Sequence, residues 1–270
     1  MPETALPDKR KKYSMLNILN KDFISVAKVY AKTIISEYFL PDSKKSVMVT
    51  HIGGLAGGKK FLWRGILFKL MDGRQGPYGR DDEAAAKAMG HEMKSVNAYF
   101  KCDIADLHVA LQALIDYKGF RMIAQAYLPI SGNDTLIIGS ADGVQTVAQH
   151  KQQQKDCETL TVINSRIHRD VSKKLPRGTI NAPYCINTLK FAANDLNISE
   201  HEVKGVTMYT ACDVEGHIGK DDRFYIIDLT RTFPPESDIK TPHLIQKSGF
   251  HVGQVVVVAV AKARRKRNKP

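Results

Sequence analysis

Apolar residues at Phe23, Val26, Ala27, Tyr30, Ile34 and Tyr38 recur at helical spacing through Asp22 to Leu40, and Pro41 closes the run. This pattern predicts a packing helix. Val47 to Ile52 and Phe61 to Met71 read as two strands around the glycine-rich turn Gly53 to Gly58, together a β-hairpin. A loop follows at Asp72 to Arg80. From Asp81 an acidic start and the stripe Ala85, Met89, Met93, Val96 and Phe100 predict a second helix, and Ile104 to Tyr117 is expected to continue helically to Gly119. Strands at Phe120 to Leu128 and Thr135 to Ser140 are joined across Pro129 to Asp134. Gln149 to Thr179, polar and containing Gln152-Gln153-Gln154, reads as an exposed insertion or linker. Ala182 to Asp195 predicts a helix and Ser199 to Val203 a short turn. Val206 to Glu215 and Arg223 to Phe233 form a hairpin around Gly219-Lys220-Asp221-Asp222. Hairpins mixed with helices, without regular βαβ alternation, give the class α+β with mixed antiparallel strands and packed helices.

Composition narrows the setting. The chain has 270 residues, 43% hydrophobic and 25% charged, which is a folded composition. Its longest apolar run, Val255 to Ala261, falls far short of the roughly 20 residues a membrane helix needs. The opening Met-Pro-Glu-Thr-Ala-Leu-Pro-Asp lacks the basic-then-apolar order of a signal peptide. Cys102, Cys157, Cys185 and Cys212 are too widely spaced for a C-x-x-C metal pattern or a small disulfide framework. They read as reduced thiols of a cytoplasmic protein.

The net charge of +12 is concentrated in two runs. Lys9 to Lys12 carry four positive charges, and Lys262, Arg264, Arg265, Lys266, Arg267 and Lys269 carry six. The body between them is nearly neutral. Runs of this kind attract polyanions without reading sequence, so Lys262, Arg264, Arg265, Lys266 and Arg267 are candidate nucleic-acid contacts. Solubilising ends or an import-like patch are the alternative.

Gly53 to Gly58 followed by Lys59 approaches the phosphate loop G-x-x-x-x-G-K-[ST], but Lys60 stands where a hydroxyl should hold magnesium and the continuation is strand-like. A P-loop NTPase is therefore excluded. A glycine turn between strands can still lie over phosphates through its N–H groups, which makes Gly53, Gly54, Gly57 and Gly58 candidate cofactor contacts; a plain hairpin turn is the alternative. Alternation places Lys69 on one strand face with Phe61, Trp63 and Leu67. Glu92 flanks the apolar stripe of its helix, and Asp228 interrupts the strand Phe224 to Arg231, so each needs a partner. A two- or four-residue loop in the last hairpin would oppose Asp213 and Asp228, a candidate metal pair or an Arg231 site; a three- or five-residue loop would not. The other reading is a network of Asp228 with Arg231 or backbone that fixes the hairpin. The histidines, including His91 beside Glu92 and His217 near Glu215, show no zinc-helix spacing and receive no role. Ser131 and Ser140 lie in no nucleophile-elbow pattern.

Lys69, Glu92, Asp228 and Arg231, in that order after a glycine-rich hairpin, parallel the parts of kinase-like ATP-binding folds, with lysine on the phosphates, glutamate orienting it and a carboxylate on magnesium. That analogy makes an ATP- and magnesium-binding phosphotransferase one functional alternative. A purely structural interaction domain is another.

Four blocks carry a more specific likeness: Gly79-Arg-Asp-Asp-Glu-Ala-Ala-Ala-Lys on to Tyr99, Asp116-Tyr-Lys-Gly-Phe-Arg on to Pro129, Ile138-Gly-Ser-Ala-Asp-Gly143, and Gly219-Lys-Asp-Asp-Arg-Phe-Tyr on to Glu236. In this order they resemble the Clu domain of the clustered mitochondria family. The resemblance spans about residues 47 to 236, with Gln149 to Thr179 aligning poorly. It divides the chain into a basic polar leader over 1–21, a Clu-like domain over 22–236 and a divergent C-terminal segment with a basic tail over 237–270. It implies a cytoplasmic binding module tied to mitochondrial distribution, messenger-RNA association and translation of mitochondrial proteins. RNA, the ribosome or other proteins are the implied partners. No cofactor, catalytic activity or catalytic residue set is implied.

Overall fold

Two tight turns decide how the first sheet is laid out. Arg64 and Gly65, at φ 47° and 76°, reverse the chain between β2 (Lys59–Trp63) and β3 (Ile66–Met71). Lys118 and Gly119, at φ 48° and 79°, do the same between β5 (Gln112–Tyr117) and β6 (Phe120–Ala126). Positive φ at both central residues matches the right-handed twist of paired strands. These elements belong to a computed structural model that describes residues 5–50, 52, 58–71, 81–141, 144–145, 182–203, 206–211, 214–234 and 256–259.

The chain divides into two compact units. The first comprises Met1–Met89, Leu111–Ala126 and Thr241–Pro270; the second comprises Gly90–Ala110 and Tyr127–Lys240. The first unit holds α1 (Ala5–Ser36), β1 (Val49–Thr50) and a six-stranded sheet ordered β1-β2-β3-β6-β5-β14. Its last strand, β14 (Val256–Ala259), pairs antiparallel with β5. Ala27, Ala31, Ile34 and Ile35 of α1 pack with Phe61, Ile66, Phe68, Leu70, Ile115, Met122 and Ala124 of the sheet. Phe68 and Leu70 are fully buried, and each such side chain contributes roughly 1.5–3 kcal/mol.

α2 (Asp82–Lys101) begins where Asp81 Oδ1 accepts hydrogen bonds from the Glu83 and Ala84 N–H groups at 2.9 and 3.0 Å, an N-cap that satisfies two otherwise orphan donors. Ala85, Met89, Met93 and Val96 are buried as their spacing predicts. The boundary between units falls inside this helix. The second unit contains the four-stranded sheet β4-β13-β12-β7, formed by β4 (Leu107–Val109), β7 (Leu136–Ile138), β12 (Glu215–Ile218) and β13 (Phe224–Ile227). β13 and β4 run parallel; the other pairs are antiparallel. The short helix α3 (Gly132–Thr135), α4 (Ala182–Leu196) and the small pairs β8 (Ser140–Ala141) with β9 (Val144–Gln145) and β10 (His201–Val203) with β11 (Val206–Met208) complete it. The class is α+β, as expected.

Several local expectations are corrected. Phe61 to Met71 is part of a hairpin rather than one strand, because Arg64-Gly65 turns the chain within it. Ile104 to Tyr117 forms β4 and β5 instead of helix: Asp103 and Asp106 take left-handed φ of 50° and 65°, and burial of Ala113, Leu114 and Ile115 in the sheet overrides their helical propensity. Much of the polar leader belongs to α1, whose Val26 is 44% exposed rather than packed. Ser199 to Val203 ends in a strand, and the segment read as one strand from Val206 is divided into β11 and β12. Gln149 to Thr179 lies outside the described residues.

Gly58, at φ 74° and buried, starts β2 so close to β3 that a Cβ would run into the Leu70 carbonyl oxygen. Gly58→Ala is expected to lower stability by ~1–3 kcal/mol, read as a lower urea midpoint at unchanged m value. Gly90→Ala, in α2 with open space around the added methyl, is the control and is expected to gain up to ~1 kcal/mol.

Candidate functional site

With α1 packed against one face of the six-stranded sheet, register assigns the other face. Lys60 pairs with Lys69, Lys69 with Ile123, and Ile123 with Leu114, so these four form one row across β2, β3, β6 and β5. Directly paired residues share a face. A second row runs Leu62, Leu67, Gln125, Gln112, and a third Met71, Arg121, Asp116. Lys60 is 6% exposed and Lys69 half-buried. Gln112 and Gln125 are buried, with Gln112 Nε2 donating to Gln125 Oε1 at 3.1 Å. Arg121 grips Asp116 with two parallel hydrogen bonds, Nε to Oδ1 at 2.7 Å and Nη2 to Oδ2 at 2.8 Å. Its Nη1 donates to the Ala86 carbonyl of α2 at 3.2 Å, and the Asp116 bonds lead in raising the guanidinium pKa above its ordinary value.

This face is cationic and hydrogen-bonding where a sheet face is ordinarily apolar. Two ammonium groups directly opposed across paired strands repel, so negative charge must accompany them, and both lysines are engaged with partners. Lys69 was expected beside Phe61, Trp63 and Leu67. It shares its face with Leu67, but Phe61 pairs with Phe68 and Trp63 with Ile66 on the α1 side. The two-residue turn sets that register. In the sequence Lys60 stands out only as the residue that spoils a phosphate-loop match, and Gln112 and Gln125 carry no motif; alternation from Lys69 through the turn is the signal that places Lys60 on this face.

Of the glycine run, Gly53, Gly54 and Gly57 lie outside the described residues, whereas Gly58 serves the close approach of β2 to β3. Glu92 belongs to the second unit, 4% exposed and engaged with a partner. Asp228 and Arg231 belong there too. β13 ends at Ile227, so Asp228 does not interrupt a strand; at φ 58° and ψ 49° it leads into the 3-10 turn Leu229–Arg231. Both residues have partners. The last hairpin closes through Lys220, Asp221 and Asp222, with Asp222 N–H donating to Gly219 O and Gly219 N–H to Arg223 O. An odd loop pairs Glu215 with Ile227, so Asp228 is not set opposite Asp213 by this register. Asp213 itself lies outside the described residues. Among those residues no cluster of three or more His, Cys, Asp or Glu suits a metal ion. The tail positions Lys262, Arg264, Arg265, Lys266 and Arg267 also lie outside them.

The second unit carries a polar network that the sequence reading left without a role. His217 is 1% exposed on β12; its Nδ1 lies 3.0 Å from Thr135 Oγ1 and its Nε2 3.2 Å from Glu215 Oε2. In the neutral imidazole, Glu215 accepts from Nε2–H and Nδ1 accepts from the Thr135 hydroxyl, which itself accepts from Ser131 N–H. Both nitrogens are thereby committed to joining β12 to the end of α3. Nearby, Tyr225 donates to Asp221 Oδ2 at 2.7 Å across the turn; burial and this carboxylate push its hydroxyl up to about 12. Cys102 and Cys185 are free thiols. Burial first, then the Asp195 carboxylate, pushes Cys102 up to about 11, and burial raises Cys185, so both are held in the unreactive thiol form.

Residues 1–238 match the family described as Clustered mitochondria. A clustered mitochondria protein homolog of Aedes aegypti is 26% identical over 242 residues, covering 87% of this chain and 14% of its own length. Protein clueless of Drosophila willistoni is 24% identical over 269 residues, 93% of this chain and 16% of that protein. A clustered mitochondria protein homolog of Danio rerio is 25% identical over 263 residues, 91% and 16% respectively. The chain spans about one-sixth or less of the length of these relatives. No solved structure matches it. The α+β units described above are thus those of a Clu domain. The chain belongs to the clustered mitochondria family.

His217→Ala, which strips Glu215 and Thr135 of a buried partner, is expected to cost ~2–3 kcal/mol. Chemical denaturation with both far-ultraviolet and near-ultraviolet dichroism checks this, and coincident transitions are the expected form.

Proposed function

We propose that this chain is a Clu-domain binding module that associates with RNA, free or ribosomal, in the cytoplasm and serves mitochondrial distribution or the translation of mitochondrial proteins. The observation that carries the RNA contact is charge placement: of the net +12, ten positive charges sit in Lys9 to Lys12 and Lys262 to Lys269. Such segments bind phosphates by releasing counterions, with little base discrimination. The mitochondrial connection rests on family membership and on the printed names of relatives such as the clustered mitochondria protein homolog of Aedes aegypti.

Filter retention of a labelled single-stranded RNA tests the contact. The parent is expected to lose affinity linearly in log salt with slope about −0.7 per phosphate engaged. Replacing the basic residues of 262–269 with glutamine should flatten that slope and weaken binding by about tenfold or more at low salt. Parent protein that fails to retain RNA at low salt, or a variant with an unchanged slope, would overturn the proposal.

The Lys60–Lys69 pair, buried at Lys60 and half-buried at Lys69, favours one alternative, a nucleoside triphosphate with magnesium held on the second face of the first sheet. The kinase-like parallel supplies the roles, with Lys69 on phosphate oxygens. ATP at about 100 times its dissociation constant should then stabilise the protein by ~2.7 kcal/mol in a thermal-shift titration. The rise should require magnesium and disappear in Lys69→Met. A folded parent that shows no shift removes this alternative.

A further inference from the structure

α1 presents two apolar faces, and the fold uses only one. At 100° per residue, Asn20, Ala27, Ala31 and Ile34 lie on the side packed into the first unit. On the opposite side Met15, Ile18, Leu19, Val26 and Val29 are 61%, 59%, 56%, 44% and 59% exposed. These five fall within an arc of about 100° and extend about 21 Å along the axis. An aliphatic stripe of that size left open to water costs free energy, and a contiguous patch of this kind marks an interaction surface.

Charge says what covers it. The α1 sequence holds seven lysine or arginine residues against two aspartates, a net of +5. Arg10, Lys11 and Lys12 are exposed at the N-terminal end of the stripe; Lys21, Lys28 and Lys32 line one flank, Lys32 with its ammonium 5.3 Å over the Tyr117 ring. Asp22 is the single acidic side chain within the stripe. Two copies of such a helix would bring +5 against +5 and repel. A protein groove is disfavoured as well, since protein interfaces take up aromatic and arginine anchors and exclude lysine, and the stripe holds no aromatic or arginine. An aliphatic face bordered by lysines fits an anionic lipid surface, with methyl groups entering the acyl boundary and ammonium groups resting among the headgroups.

We propose that α1 docks the protein peripherally on anionic bilayers, lying in the plane of the interface on its Met15–Ile18–Leu19–Val26–Val29 stripe. No helix among the described residues is long and apolar enough to cross a membrane, in keeping with surface attachment. The proposal shares Arg10, Lys11 and Lys12 with the RNA contact but rests on the apolar stripe, which that contact does not use, and not on the C-terminal tail.

Co-sedimentation of the full chain with vesicles of phosphatidylcholine, with and without about 30% phosphatidylserine, tests it. Binding is expected only with the anionic lipid and should fall by about tenfold or more in Ile18→Glu/Val29→Glu. A variant with the basic residues of 262–269 changed to glutamine should retain most of the binding. Dichroism and a melting curve verify that the double variant is folded; should it be destabilised, Ile18→Ser takes its place. No sedimentation with anionic vesicles, or equal sedimentation of parent and stripe variant, overturns the proposal. So does a dimer seen by light scattering that the stripe variant abolishes, because a second copy would then cover the face.

Discussion

The two-residue turn at Arg64-Gly65 sets β2 against β3, and the layout of the first unit depends on that register. With Trp63 opposite Ile66, the residues Phe61, Phe68, Ile66 and Leu70 all meet α1, while Lys60 and Lys69 are sent together to the other face. A slip of one residue would reverse both assignments, placing ammonium groups against Ala27, Ala31 and Ile34. The hydrophobic core and the cationic row are therefore one decision. Gly58 adds a second constraint at the same place, since only a residue without Cβ lets β2 begin so near the Leu70 carbonyl.

The second unit follows similar logic with a different turn. Its odd loop of Lys220, Asp221 and Asp222 pairs Glu215 with Ile227 and places His217 beside Tyr225 in the ladder. His217 then reaches Thr135, and Tyr225 reaches back to Asp221. Asp228, just past the strand, takes the left-handed conformation that steers the chain into its 3-10 turn. The polar groups of His217, Thr135 and Tyr225 are satisfied locally, which suits specifying a fold at least as well as supporting chemistry.

Family membership and physical character point in compatible directions. The relatives are several times longer than this chain, so the Clu units described here are one part of what those proteins do. The units themselves carry two notable surfaces: a sheet face on which Lys60 and Lys69 are paired, and a lysine-bordered aliphatic stripe on α1.

Much of this was legible in the amino-acid order. The α+β class, the helices at Ala182 and Asp82, the acidic helix start at Asp81, the turn near Gly219 and the four family blocks all follow from local pattern, because period, terminal charge and turn residues act over a few positions. The concentration of positive charge in two runs was equally plain from composition. What the order of residues left open was every question of register and face. Whether Ile104 to Tyr117 would be helix or strands, whether Lys69 would meet Trp63 or Lys60, and whether Asp213 would oppose Asp228 depended on turn length and on which surface α1 covered. Those choices are made by burial of the whole sheet, summed over strands far apart in sequence, and no short window of residues contains them.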